Sequence, residues 1–281
     1  MNVDWSQYAR PELGLKDVQD LSRKTAKHWG FVPVGNVGHE KTSMMFEGGN
    51  DDFIVLRFLN KKWYESVTRE LWRRICTDAP LVVDVGTHSG IFTMDAFRAG
   101  AKRVVSCEPH PINYARLVLN LRANGYPTEG LFYGAVGDEN KVSALLVKNG
   151  LTHCHAAGRM DMHNPNGMEI PTRVARLDAL IPQEMWPELR AVKIDAENWT
   201  PHVIRGMGKI LEHHPDLIIE CTEPGMGEML KPYGYRFWRI WETGKIEETD
   251  DLLPHNPNKN YNGTDEDCRN RLASVRGLPN G

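Results

Sequence analysis

Several features are scarce in this sequence of 281 residues, and each absence excludes a class of protein. No apolar run approaches the roughly 20 residues that a membrane-spanning helix needs, so we expect no membrane insertion. The net charge is only −3, which gives no electrostatic support for nucleic-acid binding. The five cysteines are scattered without a C-x-x-C pair, which indicates reduced thiols. The polar N-terminus lacks the apolar core of a signal peptide, and we therefore expect a cytoplasmic protein.

The middle of the chain follows a repeating α/β pattern. An apolar strand at 81–85 carries Asp84 near its end and is followed by a turn with glycines at 86 and 90 and by the start of a helix. Strands that alternate with helices predict a mainly parallel sheet covered on both faces. Ligands bind at the carboxyl ends of such strands, so this turn predicts a nucleotide-type site. We expect the helix start to offer free N–H groups to the ligand.

The regions on either side of this pattern are less regular. We expect residues 1–62 to form an N-terminal cap, which is either a lid over a substrate pocket or an extension of the core. Within the cap, the apolar run 53–58 predicts a strand. Residues 63–281 are expected to form the main domain, with a long polar surface loop at 242–269. The last two predicted strands have no helix between them, so we expect them to pair antiparallel.

The glycine spacing distinguishes between classes of nucleotide cofactor. The dinucleotide fingerprint G-x-G-x-x-G is missing, and so is the Gly-Lys-Ser/Thr of a P-loop. The pattern Asp84-x-Gly86-x-x-x-Gly90 instead resembles the first motif of Rossmann-like methyltransferases that use S-adenosylmethionine. That cofactor carries an ammonium and a sulfonium rather than phosphates, so an acid at the strand end suits it. A nicotinamide-dependent oxidoreductase and a non-catalytic cofactor-binding module on the same fold remain as alternatives.

Two further acids follow the next strands of the pattern. Glu108 ends the second strand, where a carboxylate accepts hydrogen bonds from both ribose hydroxyls of a nucleoside. Its alternative role is that of a solvated strand-end carboxylate. Asp138 follows the third strand and is a candidate acceptor for the adenine amino group. An Asp in the Gly-Asp-Glu-Asn sequence of this turn is also common for purely conformational reasons.

An ordered series of short motifs makes the resemblance more specific. The series resembles the FkbM family of S-adenosylmethionine-dependent methyltransferases across roughly residues 63–235, and its members are Val83-Asp84-Val85-Gly86, Cys107-Glu108-Pro109-His110-Pro111, Gly134-Ala135-Val136-Gly137-Asp138, Arg176-Leu177-Asp178, Val192-Lys193-Ile194-Asp195-Ala196-Glu197, Arg205-Gly206 and Leu217-Ile218-Ile219-Glu220.

The resemblance implies both a fold and a reaction. The implied fold is α/β, a Rossmann-like class I methyltransferase with a seven-stranded, mostly parallel sheet and helices on both faces. The implied reaction is methyl transfer from S-adenosylmethionine to a hydroxyl oxygen of a small molecule or a glycan. The residues expected to bind the cofactor lie in the turns after the first three strands and comprise Asp84, Gly86, Thr87, His88, Gly90, Glu108, Pro109, Asn113 and Asp138.

The acids after the fourth strand are the candidates for catalysis. Asp195 and Glu197 are placed to position the acceptor or to take its proton. Asp195 has an equally weighted alternative, which is to bind the cofactor amino group or to cap the loop. The sequence departs from the family directly afterwards, because Asn198-Trp199 replace the usual glycine and small residue. We expect the tryptophan to reshape the acceptor pocket.

Other groups are weaker candidates. His153, His155 and His163 are second-choice bases, since histidines in polar loops are more often exposed and inert. Magnesium is a less favoured cofactor: Asp195 with Glu220 or Glu223 would offer the carboxylate ligands that this hard cation prefers, but the FkbM resemblance does not require a metal. No metal ligand is therefore assigned. The sequence determines neither the acceptor nor the oligomeric state.

Overall fold

The computed structural model describes residues 3–147, 158–160, 167–220, 223–252 and 269–279. Its strands, in chain order, are β1 (Trp29–Gly35), β2 (Thr42–Gly48), β3 (Leu81–Val85), β4 (Val104–Glu108), β5 (Leu131–Tyr133), β6 (Ala135–Val136), β7 (Lys141–Val147), β8 (Gly158–Met160), β9 (Met168–Ala175), β10 (Leu189–Ile194), β11 (Asp216–Glu220), β12 (Arg236–Ile240), β13 (Ile246–Thr249) and β14 (Asn270–Ser274).

The helices lie between these strands. They are α1 (Leu15–Lys24), α2 (Phe53–Leu59), α3 (Ser66–Ile75), α4 (Ile91–Arg98), α5 (Pro111–Ala123), α6 (Leu177–Leu180), α7 (Thr200–Met207) and α8 (Met226–Leu230). None of these helices, in the part of the chain that the structure describes, is long and apolar enough to cross a membrane.

The central sheet confirms the mixed α/β class but not the expected strand count. In the described residues it has eight strands in the order β13-β12-β14-β11-β10-β3-β4-β5, where seven mostly parallel strands were expected. The five strands from β11 to β5 are parallel. Strand β14 is antiparallel to both β11 and β12, as expected for the last strands. The additional strand is β13, which a tight turn at 241–245 folds back onto β12.

The predicted polar loop at 242–269 is therefore partly wrong. Strand β13 occupies 246–249 within it, although its two central side chains, Glu247 and Glu248, are exposed and charged. Pairing with β12 gives its backbone groups partners, which composition alone does not reveal. Residues 253–268 of that stretch lie outside the described residues.

The predicted strand at 53–58 is also wrong, because these residues form helix α2. Asp52 begins the helix by accepting hydrogen bonds from the backbone N–H groups of Ile54 and Val55. The apolar side chains of Ile54, Val55 and Leu56 are buried. A short apolar run that is buried on several sides has no periodicity, so the sequence does not separate helix from strand here.

The N-terminal hairpin β1–β2 is attached to α5 by side-chain amides. The Asn120 side chain accepts from the N–H of Phe46, and Asn124 accepts from the N–H of Met44 while donating to its carbonyl. These amides give β2 hydrogen-bond partners on its second edge. Hairpin residues also share a hydrophobic cluster with one face of the central sheet. The use of residues 1–62 as a lid stays a prediction.

Candidate functional site

The turn after β3 and the loop after β10 lie in direct backbone contact. Gly86 has a φ of +76°, and a Cβ at this position would lie 1.7 Å from the carbonyl oxygen of Asp195. The N–H of Asp195 donates to the carbonyl of Val85 at 2.9 Å. Glycine is therefore required at 86 both for its left-handed backbone and for this close approach. The contact brings the expected cofactor turn and the expected acceptor loop together.

Most N–H groups of the glycine turn are used within the protein, and the expected free N–H groups at the start of α4 stay a prediction. Those of Gly86 and Thr87 donate to the carbonyl of Cys107 at 2.9 and 3.2 Å. The N–H of His88 donates to Glu108 at 2.8 Å. The turn is held against the end of β4 in this way, so these three groups do not form a cradle for phosphate oxygens.

Glu108 is the centre of the predicted nucleoside site. Its carboxyl group accepts from the backbone N–H groups of His88 and His110, both at 2.8 Å, and interacts with the side chain of Asn113. Burial raises the pKa of Glu108 to about 8, against the effect of these donors. The two carboxylate oxygens together offer four lone-pair directions, so these three donors leave one of them for a ligand hydroxyl.

Two buried polar atoms beside Glu108 lack a hydrogen-bond partner among the described residues. They are the hydroxyl oxygen of Thr87 and the side-chain oxygen of Asn113, in residues that are 4% and 3% exposed. Leaving such atoms unpaired costs about 1–3 kcal/mol each, and a bound ligand with hydroxyl and amino groups would remove that cost. The residues around Glu108 therefore fit the adenosine part of S-adenosylmethionine.

Asp84 contacts the helix behind the turn. Its carboxylate accepts from the hydroxyl of Thr93 at 2.7 Å, and that hydroxyl lies 2.8 Å from the hydroxyl of Ser106. Asp84 is 1% exposed, and burial raises its pKa to about 6. In the structure, Asp84 fixes α4 relative to β3 and β4. Its contact with the cofactor stays a prediction.

Asp138 is held by helix α7. His202 and Arg205 each lie 2.9 Å from the same carboxylate oxygen of Asp138. Although burial favours the neutral acid, these two partners lower the pKa of Asp138 to about 2. The structure therefore places its carboxylate in an ion-pair cluster, and adenine recognition by Asp138 stays a prediction.

Asp195 lies between a buried cation and a second carboxyl group. The ammonium of Lys193, which is 1% exposed, lies 3.4 Å from the Asp195 carboxylate and 4.8 Å from the ring centre of Phe92. Asp195 also hydrogen-bonds with Glu220. Burial opposes ionisation, but Lys193 and Glu220 lower the pKa of Asp195. The side chain of Asp195 is 27% exposed, so an ionised carboxylate is accessible beside the glycine turn.

Two residues at the site have left-handed backbones without being glycine. His88 in the glycine turn has a φ of +53°, and Glu197 after β10 has a φ of +51°. Such conformations cost on the order of 1–3 kcal/mol and cluster at functional sites. The side chain of Glu197 is partly exposed and affects the pKa of Glu220, which places it near Asp195.

Trp199 is buried, and its expected effect on the acceptor pocket stays a prediction. It is 8% exposed and packs in the hydrophobic cluster that also contains Val85 and Ile194 of the central sheet. Its indole N–H donates to the carbonyl of Val136 at 3.0 Å, and its ring stacks on His202 at 3.9 Å. The short helical turn 197–199 directs the side chain inward, which the sequence pattern does not indicate.

Tyr133 and Lys193 were assigned no role at the site from the sequence, and Glu220 was considered only as a magnesium ligand. Tyr133 pairs in register with Glu108 and is 47% exposed, so it offers an aromatic surface beside the nucleoside site. Lys193 lies two residues before Asp195 along the chain, whereas the contact of Glu220 with Asp195 depends on the pairing of β10 with β11. A signal existed for Lys193, because a lysine within an apolar sheet strand requires a buried partner.

The weaker candidates are not tested by the structure. His153, His155 and His163 lie outside the described residues. Among the residues that are described, no group of three or more His, Cys, Asp or Glu side chains is arranged to hold a metal ion.

The fold is α/β, and its candidate nucleoside site lies at the carboxyl ends of parallel strands. The family model described as the methyltransferase FkbM domain matches residues 84–253, which is more than half of the chain. The chain therefore belongs to the FkbM family of S-adenosylmethionine-dependent methyltransferases. No curated protein sequence matches it significantly.

Solved methyltransferase structures show a distant likeness. A precorrin-6Y C5,15-methyltransferase from Geobacter metallireducens has a TM-score of 0.37 at 11% identity, over 74% of this chain and 89% of that one. A putative methyltransferase from Streptococcus mutans has 0.41 at 8%, over 88% of this chain and 55% of that one. A methyltransferase from Agrobacterium tumefaciens has 0.42 at 10%, over 90% and 72%. These values support no inference about substrate or mechanism.

Proposed function

We propose that this methyltransferase transfers its methyl group to a hydroxyl oxygen of a small molecule or a glycan. The observation that carries the proposal is the position of Asp195. Its carboxylate is partly exposed and has a lowered pKa, and its backbone carbonyl lies against Gly86 of the glycine turn. A hydroxyl group that receives a methyl group must lose its proton, and a nearby carboxylate can take that proton. An atom that carries no hydrogen would not need such a carboxylate when it is methylated.

The cofactor half of the proposed site lies around Glu108. Its carboxyl group is proposed to accept a hydrogen bond from a ribose hydroxyl, and the side-chain oxygens of Thr87 and Asn113, which have no partner among the described residues, are proposed to pair with the nucleoside. Gly86, His88, Gly90 and Pro109 shape the surrounding turns. S-adenosylmethionine supplies the methyl group when it is bound.

Asp195 is proposed to orient the acceptor. An accepted hydrogen bond fixes the hydroxyl oxygen toward the glycine turn, and orientation is the main contribution that an enzyme makes to an in-line displacement. A carboxylate with a lowered pKa is a weak base for a free alcohol. It takes the proton as the oxygen becomes acidic in the transition state. Glu197, on the same loop, is proposed to line the acceptor side.

The arrangement of the glycine turn favours this function over a nicotinamide-dependent oxidoreductase. A dinucleotide needs backbone N–H groups for its pyrophosphate. Those of Gly86, Thr87 and His88 already donate to Cys107 and Glu108. S-adenosylmethionine has no phosphate and does not need them.

We also propose that residues 1–62 cover the acceptor side of the domain formed by residues 63–281.

The test combines cofactor binding with product analysis. S-adenosylhomocysteine should raise the melting temperature of the wild-type protein, and Glu108→Ala should remove that shift. With an isotope-labelled methyl donor and a panel of hydroxylated acceptors, NMR should show a methyl ether as the product. Asp195→Asn should bind S-adenosylhomocysteine normally but lose methyl transfer. A methylated nitrogen or carbon in the product would refute the proposal, and binding without any transfer would favour a non-catalytic module.

A further inference from the structure

Asp195 and Glu220 form a pair of hydrogen-bonded carboxyl groups. They follow the last register pair of β10 and β11, Ile194 with Ile219, so their side chains leave the same face of adjacent parallel strands. An ionised carboxyl group only accepts hydrogen bonds, and two of them bond to each other only if one carries a proton. The pair therefore holds one proton between its two members.

The surroundings place this proton on Glu220. Lys193 and Arg269 favour the ionised form of Asp195 and lower its pKa, although burial opposes this. Burial, followed by Asp195 and Glu197, raises the pKa of Glu220 well above its usual value, although Arg269 opposes this. Asp195 is thus the carboxylate of the pair and Glu220 is the acid.

Acidic groups outnumber cations around the pair. Besides its two members, Asp84 and Glu65 also interact with the ammonium of Lys193. Glu65 precedes α3 and accepts from the Asn270 side chain at 3.0 Å, and Arg269 lies 3.7 Å from it. The other ionisable side chains that interact with members of this cluster are Tyr64, Glu12, Glu197 and, through Glu65, Glu242. A positive charge that enters beside Gly86 would favour the loss of the proton from Glu220.

We propose that Asp195 and Glu220 exchange a proton for the positive charge of the cofactor, a role that rests on the proposed function. Glu220 releases its proton to solvent when the sulfonium form binds, which leaves both carboxyl groups ionised. During methyl transfer the acceptor oxygen gains the methyl carbon, and the carbon–sulfur bond breaks with its electron pair left on sulfur. Asp195 takes the hydroxyl proton and shares it with Glu220. The site loses one positive charge and neutralises one negative charge, so its net charge is unchanged.

The test is calorimetric titration of the wild-type protein in buffers that differ in their enthalpy of ionisation. S-adenosylmethionine and S-adenosylhomocysteine share the adenosine and amino-acid parts and differ by the methyl group and its charge. Proton release from groups that face the shared parts, such as Glu108, cancels in the comparison. We expect S-adenosylmethionine to release about one proton more than S-adenosylhomocysteine near neutral pH.

Two matched variants locate the source of this proton. Glu220→Gln keeps a hydrogen-bond donor toward Asp195 but has no proton to release, so the difference between the ligands should vanish while both still bind. Glu242→Gln is the control, because Glu242 is also buried with a pKa raised to about 8 but accepts its hydrogen bonds from Val67 and Thr68. The difference should persist in that variant.

Three results would overturn the inference. The first is equal proton release with both ligands in the wild-type protein. The second is a difference in proton release between the ligands that is unchanged in Glu220→Gln. The third is proton release on titration with Mg²⁺ alone, which would make the pair a metal site. If neither ligand binds the wild-type protein, the proposed function fails instead.

Discussion

The contact between Gly86 and Asp195 gives the sharpest prediction from this structure. In Gly86→Ala, the new Cβ would lie 1.7 Å from the Asp195 carbonyl oxygen, where ordinary contact begins at 3.4 Å. The obstacle is backbone, so no side-chain rotation relieves it. The loop after β10 must move, and the hydrogen bond from the Asp195 N–H to Val85 is lost with it.

The expected loss of stability combines three costs and one opposing effect. The left-handed backbone at φ +76° costs an alanine roughly 1–2 kcal/mol. Overpacking against a fixed neighbour adds roughly 1–3 kcal/mol, and the lost hydrogen bond adds roughly 1 kcal/mol. Alanine also reduces the conformational freedom of the unfolded chain, which offsets roughly 0.4–1 kcal/mol of these costs. We therefore expect Gly86→Ala to lower the free energy of unfolding by about 2–6 kcal/mol.

Gly125→Ala is a matched control for this measurement. Gly125 has a similar φ of +71°, but a Cβ there would meet nothing within 4 Å. Urea denaturation should show a loss of about 1 kcal/mol for Gly125→Ala, because only the backbone contribution remains. Titration should also show that Gly86→Ala loses affinity for S-adenosylhomocysteine. Equal losses of stability in the two variants would refute the argued contact between the turn and the Asp195 loop.

Three further predictions concern the support of the site. Asn120→Ala should lower the free energy of unfolding by about 2–4 kcal/mol, since it leaves one backbone group of β2 and one of the glycine turn unpaired; a urea midpoint within error of wild type would contradict this. Asp95→Ala breaks a fully buried pair with Arg69 and should cost about 3–5 kcal/mol, with partial recovery in the Asp95→Ala, Arg69→Met double variant. Burial raises the pKa of Glu242 from 4.5 to about 8, so the folded state binds this proton more tightly than the unfolded chain. The melting temperature should therefore fall as the pH rises from about 5 to 8, and a slope that is not flattened in Glu242→Gln would exclude Glu242 as its source.

The parallel centre of the fold was predictable from the sequence. The strand before Gly86, the strand ending at Glu108 and the strand before Asp195 are apolar runs bounded by turns, and such runs are typical of buried parallel strands. The ordered motifs that contain them predicted the FkbM family, which the family match confirmed. The edge of the sheet was harder to predict from the sequence, because β13 is held by pairing rather than by a pattern of apolar residues.

The sequence by itself determined which residues end the parallel strands, and with them the class of cofactor and the family. This was possible because strand ends and glycine turns are local features with a fixed spacing. Only the tertiary structure decided which strand ends adjoin. It placed Gly86 against Asp195, paired Asp195 with Glu220, turned Trp199 into the core and tied Asp138 to α7. These contacts join residues that are distant in the chain, and sheet order and register fix them.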